Sequence, residues 1–414
     1  MGTDGGSGTS GRAGASAGAG PSGQAGASAG AGPLGQAGSQ GCPVALPTAV
    51  PFDPDGTASR FRVLADPAGS DIGTFDPAFV TASDGSLVLA YTSIDLPRNR
   101  LHTRVAVSRD DGETFSFAAL ANAAEENVTI DAAGDPDCPG GTCTNATIVH
   151  EVSTIVEDTD DPDAAARWKI FTHSYVILEP DPADPNTPRL RYQFGHLRIG
   201  TAPAPAGPWS APIPMIGWPS SSSMSSDAPQ LVTDIDGLQD CVALTEPSAT
   251  IDEGSGALEL AVGCLFPSQA DFAIRVELLR SSDHGSTWSH AHVLLDASDA
   301  PCVGGVDLEL NAAHLFARNG RSYLLASPTG PVSFPGGATG SGYRGCLLFA
   351  RTTDGIERDA AGAPIVLGRL DPGEGIFAGA CSHHPNGGYV ASAISFASPP
   401  DMFRMFGPIG RALP

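Results

Sequence analysis

Four carboxylates recur at matching points of a repeating pattern. They are Asp76 in Phe75-Asp76-Pro77-Ala78-Phe79, Glu151 in His150-Glu151-Val152-Ser153-Thr154, Glu246 in Thr245-Glu246-Pro247-Ser248-Ala249 and Glu309 in Asp307-Leu308-Glu309-Leu310-Asn311. Each opens an apolar run of strand character. If the fold brings them to one cleft, their like charges raise one another's pKa, and one residue type then supplies both an acid and a base. Cleavage of a glycosidic bond needs such a pair, about 5–5.5 Å apart for retention of configuration and about 6.5–9.5 Å apart for inversion. His173, in Thr172-His173-Ser174-Tyr175, is a candidate contact for a substrate hydroxyl, although a satisfied strand histidine has the same sequence appearance.

The elements that must position these residues are strands. With 51 Gly and 36 Pro in 414 residues, long helices have little room. Short apolar runs bounded by Gly, Pro, Asp and Asn follow one another from residue 44 onward, among them Leu87-Val88-Leu89-Ala90-Tyr91, Leu258-Glu259-Leu260-Ala261-Val262 and Tyr323-Leu324-Leu325-Ala326. The pattern predicts an all-β protein.

A second series interleaves with the acids. Ser108-Arg109-Asp110-Asp111-Gly112-Glu113-Thr114-Phe115 and Ser281-Ser282-Asp283-His284-Gly285-Ser286-Thr287-Trp288 share the form Ser-x-Asp-x-Gly-x-Thr-aromatic, with weaker relatives at 200–209 and 351–355. In such a turn the Asp side chain accepts backbone N–H bonds, Gly takes positive φ, and the aromatic packs back under the hairpin. Acids and turns alternate strictly along the chain. That order is expected when each unit begins at a central acidic strand and ends in an outer turn, as in a β-propeller of four-stranded antiparallel blades. Counting the unit at 378–394 gives five blades, with six as the alternative. Arg60-Phe61-Arg62-Val63-Leu64 is placed to complete the last blade and close the ring.

The paired turns resemble the Asp-box of sialidase-type propellers. Those enzymes use an arginine triad, a Tyr/Glu pair and an early Arg-Ile-Pro, where this chain has Arg60-Phe61-Arg62; no three of its arginines stand out as a triad. The acidic strands resemble those of the five-bladed propeller glycoside hydrolases of the arabinanase, xylosidase and invertase types. That resemblance implies Asp76 as base or nucleophile, Glu246 as general acid, and Glu151 or Glu309 as modulator of the acid. Phe75 stands where the invertases have the Asn before Asp-Pro, which argues against fructosidase chemistry. A non-catalytic propeller binding glycan or protein at the same rim is the alternative function, and a sialidase the second.

The remaining expectations concern surroundings. A formal charge of −24 excludes nucleic acid and anionic membrane surfaces as main partners, and no apolar run is long enough for a membrane-spanning helix. Residues 1–43 form a Gly/Ala/Ser-rich tether with a period of twelve, unable to bury enough apolar surface to fold, so 44–414 is a single domain. The tether shows no export signal as it stands. It resembles the spacer behind the lipidated cysteine of bacterial surface lipoproteins; an expression artefact is the other reading. Eight cysteines without zinc-site spacing imply disulfides and an oxidising, extracellular compartment. Cys138 and Cys143 suit a local bridge, and Cys241 and Cys264 flank a hairpin. No cofactor is required, and a monomer is expected. The run Glu157-Asp158-Thr159-Asp160-Asp161 has oxygens that suit Ca²⁺, although a solvated hairpin tip needs no ion. Lys169, the only lysine, lies in an ordinary strand, and His383-His384 lies in a loop.

Overall fold

A computed structural model describes residues 46–52, 60–61, 63–66, 73–95, 100–132, 135–138, 140–178, 189–217, 228–267, 272–304, 309–333, 339–373, 376–394, 403–411 and 413. The tether, Arg62, Asp307 and the serine run at 220–226 lie outside these residues. The fold is almost entirely β, built from antiparallel meanders. The first comprises β1 (Gly73–Thr81), β2 (Leu87–Asp95), β3 (Arg100–Ser108) and β4 (Phe115–Asn122). The second comprises β5 (Thr142–Glu157), β6 (Trp168–Leu178), β7 (Arg189–Ala202) and β8 (Ile213–Gly217). The third is β9 (Ala243–Ile251), β10 (Leu258–Pro267), β11 (Phe272–Ser281) and β12 (Ser289–Leu295). The fourth is β13 (Leu310–Arg318), β14 (Arg321–Ser333), β15 (Cys346–Thr352) and β16 (Val366–Asp371). Last come β17 (Ala378–His383), β18 (Tyr389–Ile394) and β19 (Phe403–Ile409).

Burial follows position in the meander. The second strands β2, β6, β10 and β18 are buried almost along their whole length, on both faces, whereas the fourth strands β4 and β12 are mostly half-exposed. Apolar residues on both faces mean that each sheet packs between two neighbours. Continuous runs such as Leu87-Val88-Leu89-Ala90-Tyr91 are therefore required, and they are what the sequence contains.

The first strands touch in cyclic order: β1 packs on β5, β5 on β9, β9 on β13, β13 on β17, and β17 on β1. Hydroxyls on second strands tie the neighbours together. Thr92 Oγ1 accepts from Val152 N at 2.9 Å, Ser327 Oγ from Ala380 N at 3.0 Å, and Ser392 Oγ from Asp76 N at 2.7 Å. The N-terminal segment behaves more subtly than expected. Arg60–Phe61 pairs antiparallel with β19, while Val63–Leu64 pairs parallel with β4, so one short stretch bridges the last meander and the first.

Both full turns form as the sequence implies. Asp110 Oδ1 and Oδ2 accept from Thr114 N and Oγ1 at 3.0 and 2.5 Å, and Asp283 does the same with Thr287 at 2.9 and 2.6 Å. Gly112 and Gly285 have φ of +81° and +92°, and Phe115 and Trp288 are buried beneath the turns.

Three described disulfides are Cys138–Cys143, Cys241–Cys264 and Cys346–Cys381. The first two are those expected locally; the third joins the fourth meander to the fifth. Among the described residues no helix is long and apolar enough to cross a membrane. Lys169 is a finding of its own. It is fully buried, with its ammonium 2.5 Å from Asp161 and 3.1 Å from Asp158, while His284 Nδ1 of the third meander stands 3.0 Å from Asp158. At that acidic hairpin the protein supplies the positive charge itself.

Candidate active site

Four of the five first strands carry the same irregularity. The pairing register slips between Phe75 and Ala78, between Thr245 and Ser248, between Asn311 and His314, and between Gly379 and Ser382. In each bulge one residue turns to a left-handed backbone: Asp76 (φ +50°), Glu246 (+48°), Ala312 (+48°) and Ala380 (+46°). Such backbone costs a non-glycine residue about 1–3 kcal/mol and clusters at functional sites. Asp76 and Glu246 adopt it even though each precedes a proline, which favours extended backbone at the residue before it. The bulge re-aims the side chain away from the sheet, in this case toward the space the five first strands surround.

That space is an open depression of about 370 Å³ including solvent at its mouth, lined by Asp76, Glu151, Glu246, Ala312, His314 and Ala380 among others. Glu151 reaches it from β5, opposite His173 in register. The three acids differ in their partners. Asp76 and Glu151 are close enough for their charges to couple, and Asp76 Oδ2 is buried with no hydrogen-bond partner among the described residues. Burial, and then the charge of Glu151, hold Asp76 well above the usual carboxylate range; burial also raises Glu151, against the hydrogen bond it receives from Tyr175. The two titrate as one unit. Ser392 donates to Asp76 Oδ1 at 3.5 Å.

Glu246 stands apart with its own proton. Burial first, and the charge of Glu151 second, push it up to about 8, against the hydrogen bonds from Tyr343 and from the Ala312 backbone N–H that favour its ionised form. Tyr343 donates to Oε1; Oε2 is buried with no hydrogen-bond partner among the described residues. His314 completes the polar lining. Burial drops it to about 3, so it is neutral, with Nε2 3.2 Å from Ser382 Oγ. Among the described lining residues there is no lysine or arginine. The arrangement can therefore hold one proton ready for donation on Glu246 beside two neighbouring carboxyl groups whose raised pKa values suit them to accept one.

No protein-family model matches the chain, and no curated protein matches it. Solved structures similar to it include a thermostable family-43 glycoside hydrolase (13% identity over 82% of this chain and 90% of that one, TM-score 0.41). An endo-arabinase from Bacteroides thetaiotaomicron is 14% identical over 85% of this chain and 98% of that one, with a TM-score of 0.43. A family 117 glycoside hydrolase from Zobellia galactanivorans is 11% identical, covering 84% and 89%, with a TM-score of 0.41.

Of the residues singled out from sequence, Asp76, Glu151 and Glu246 meet in one pocket. Glu309 does not line it. It precedes β13, and the position equivalent to Asp76 on that strand is Ala312. Its charge exerts a minor upward pull on Glu246. His173 is buried one strand further out, its ring tilted by 50° against Tyr175 at 5.2 Å, and is dropped to about 4 by burial. His383 and His384 point into separate cores, the first stacked on Phe316 at 4.4 Å, the second among Phe61, Phe79 and Phe115. Sequence reasoning missed His314, Tyr175, Tyr343 and Ser392. Laying Asn311-Ala312-Ala313-His314 against Thr245-Glu246-Pro247-Ser248 aligns Ala312 with Glu246 and shifts Glu309 out of register, but it gives no signal for His314, whose counterpart Ser248 does not line the pocket.

Proposed function

We propose that the chain is a five-bladed β-propeller glycoside hydrolase, working outside the cell and acting through Asp76, Glu151 and Glu246. The observation that carries this reading is the convergence of three acids from three consecutive first strands on one pocket, one of them held up to about 8 by burial and the other two raised by burial beside each other. The cyclic packing of β1, β5, β9, β13 and β17 supports the five blades, with β19 and Arg60–Phe61 as outer strands of the last; the disulfides support an oxidising compartment.

In the reaction, Glu246 gives its proton to the glycosidic oxygen as the bond to the anomeric carbon breaks, and the bonding electrons stay with that oxygen. The positive charge developing on the sugar is stabilised by the anionic Asp76–Glu151 pair. Asp76 then either takes the proton of an attacking water or attacks the anomeric carbon, forming a glycosyl ester that a water deprotonated by Glu246 hydrolyses, with Glu151 standing neutral beside it. The test is a screen of aryl glycosides and polysaccharides with the wild type and Glu246→Gln. Turnover abolished by the substitution supports the reading. Binding of glycan with no turnover by the wild type sinks it in favour of a non-catalytic binding module.

One observation favours a sialidase as the second reading: Tyr343 hydrogen-bonds Glu246, as in a Tyr/Glu pair. Arg104, Arg191 and Arg275, however, are ion-paired with Asp66, with Asp135 and Asp137, and with Asp240 and Glu277. A fluorogenic sialoside among the screened substrates separates the two.

A further inference from the structure

Tyr343 ends the strand Thr339–Tyr343, which pairs with β14, and its ring is buried against Phe377 at 5.7 Å. It lies behind Glu246 and does not line the depression. A directed chain of donors runs through it. Thr245 Oγ1 donates to Asn311 Oδ1 at 3.4 Å, Asn311 Nδ2 donates to the Tyr343 oxygen at 3.4 Å, and Tyr343 in turn donates to Glu246 Oε1. Because Asn311 occupies an acceptor site on the phenol oxygen, the phenol proton is directed to the carboxyl. The ring fits only because Gly379 has no side chain: a Cβ there would lie 2.4 Å from Tyr343 Cβ.

We propose that Tyr343 is a positioning residue for Glu246: held by Asn311, it fixes Oε1 as an acceptor and so leaves Oε2 to carry the proton that is transferred. This deepens the glycosidase reading and rests on Glu246 as the acid. Oε2 is the buried oxygen without a partner, as the donating oxygen must be before substrate arrives. Burial and the neighbouring Glu246 hold the phenol itself well above its ordinary range, so it stays a donor throughout the working pH range. After transfer its hydrogen bond falls on a full carboxylate, and such charge-assisted bonds are about twice as strong as neutral ones. The contact therefore favours the state reached after proton transfer over the state before it.

The experiment compares wild type with Tyr343→Phe by two readouts. In protein labelled with ¹³C at the glutamate carboxyls, Glu246→Gln identifies the Glu246 resonance. Its titration midpoint should move upward in Tyr343→Phe by about one unit, because a hydrogen bond to the ionised form is lost. On an aryl glycoside with a poor leaving group, kcat should fall about 10–100-fold, with the alkaline limb of the rate profile moving the same way. A dinitrophenyl glycoside, whose departure needs no acid, should be cleaved nearly as fast as by the wild type. An unmoved Glu246 titration overturns the proposal, and so does equal loss on the dinitrophenyl substrate, which would make Tyr343 the nucleophile. Asn311→Ala, which keeps the phenol, should give a smaller upward shift and serves if Tyr343→Phe folds poorly. A wild type that cleaves no glycoside refutes the glycosidase reading alone, since the titration still decides on Tyr343.

Discussion

Asp76 and Glu246 hold the same left-handed backbone, at φ +50° and +48°, in bulges of two different first strands, each with its side chain on the central depression. The same bulge in β13 and β17 holds alanines, Ala312 and Ala380. One structural device thus presents two acids and two small residues to a single pocket, leaving space beside the acids for a ligand.

The first expectation concerns stability. Glu246 has a folded pKa near 8, above the roughly 4.3 of an unfolded glutamate. A raised carboxyl contributes its full stability below the unfolded value and loses it as pH rises through the folded one. Glu246→Gln should therefore melt at a higher temperature than the wild type, with a gap of a few degrees that widens between pH 5 and pH 9. Equal melting curves across that window would contradict the buried, protonated assignment.

Activity should fall with the same deprotonation. The general acid works only while protonated, so kcat/KM should fall about tenfold per pH unit above about 8. The acidic limb belongs to the Asp76–Glu151 pair and should be altered by replacing either member. Glu246→Gln should lose about 10²–10⁴-fold in rate on substrates with poor leaving groups. A pH–rate series on two aryl glycosides checks both statements; an alkaline limb unchanged in Glu246→Gln would assign it elsewhere.

Buried neutral histidines make the fold sensitive to acid. His314 and His196 are dropped to about 3, and His173, His383 and His384 to about 4, in every case chiefly by burial. For these depressed pKa values the unfolded chain takes up protons first, so stability is lost as pH falls from about 6.5 toward 4. Replacing His384 by Phe, which can pack among Phe61, Phe79 and Phe115, should flatten the fall in melting temperature across that window. A slope equal to that of the wild type would rule out its contribution.

Lys169 holds two buried carboxylates from the second meander, one of which also meets His284 of the third. Removing one member of a buried ion pair leaves an uncompensated charge, at a cost of about 3–5 kcal/mol. Lys169→Met should accordingly lower the denaturation midpoint substantially at neutral pH. Much of that loss should be recovered when Asp158 and Asp161 are both replaced by Asn. No recovery would mean that the lysine acts through packing of its alkyl chain.

Features set by local chemistry could be read from the chain alone. The strand runs, the Ser-x-Asp-x-Gly-x-Thr-aromatic turns, the Cys138–Cys143 and Cys241–Cys264 bridges and the alternation of acids with turns depend on residues near one another in sequence. Asp76, Glu151 and Glu246 were legible because a repeated unit puts the same strand position at the same radius. Glu309 was misplaced because it stands before the strand, three residues ahead of Ala312, the bulge position on β13 that matches Asp76 and Glu246. Long-range relations were settled only by the fold. The Cys346–Cys381 bridge, the donor chain from Thr245 through Asn311 and Tyr343 to Glu246, the support of Asp76 by Ser392, and the ion pairs of Lys169 all join segments distant in sequence. The proton on Glu246 belongs with them, because a carboxyl's pKa is raised by the water that packing removes and by the charges that packing brings near.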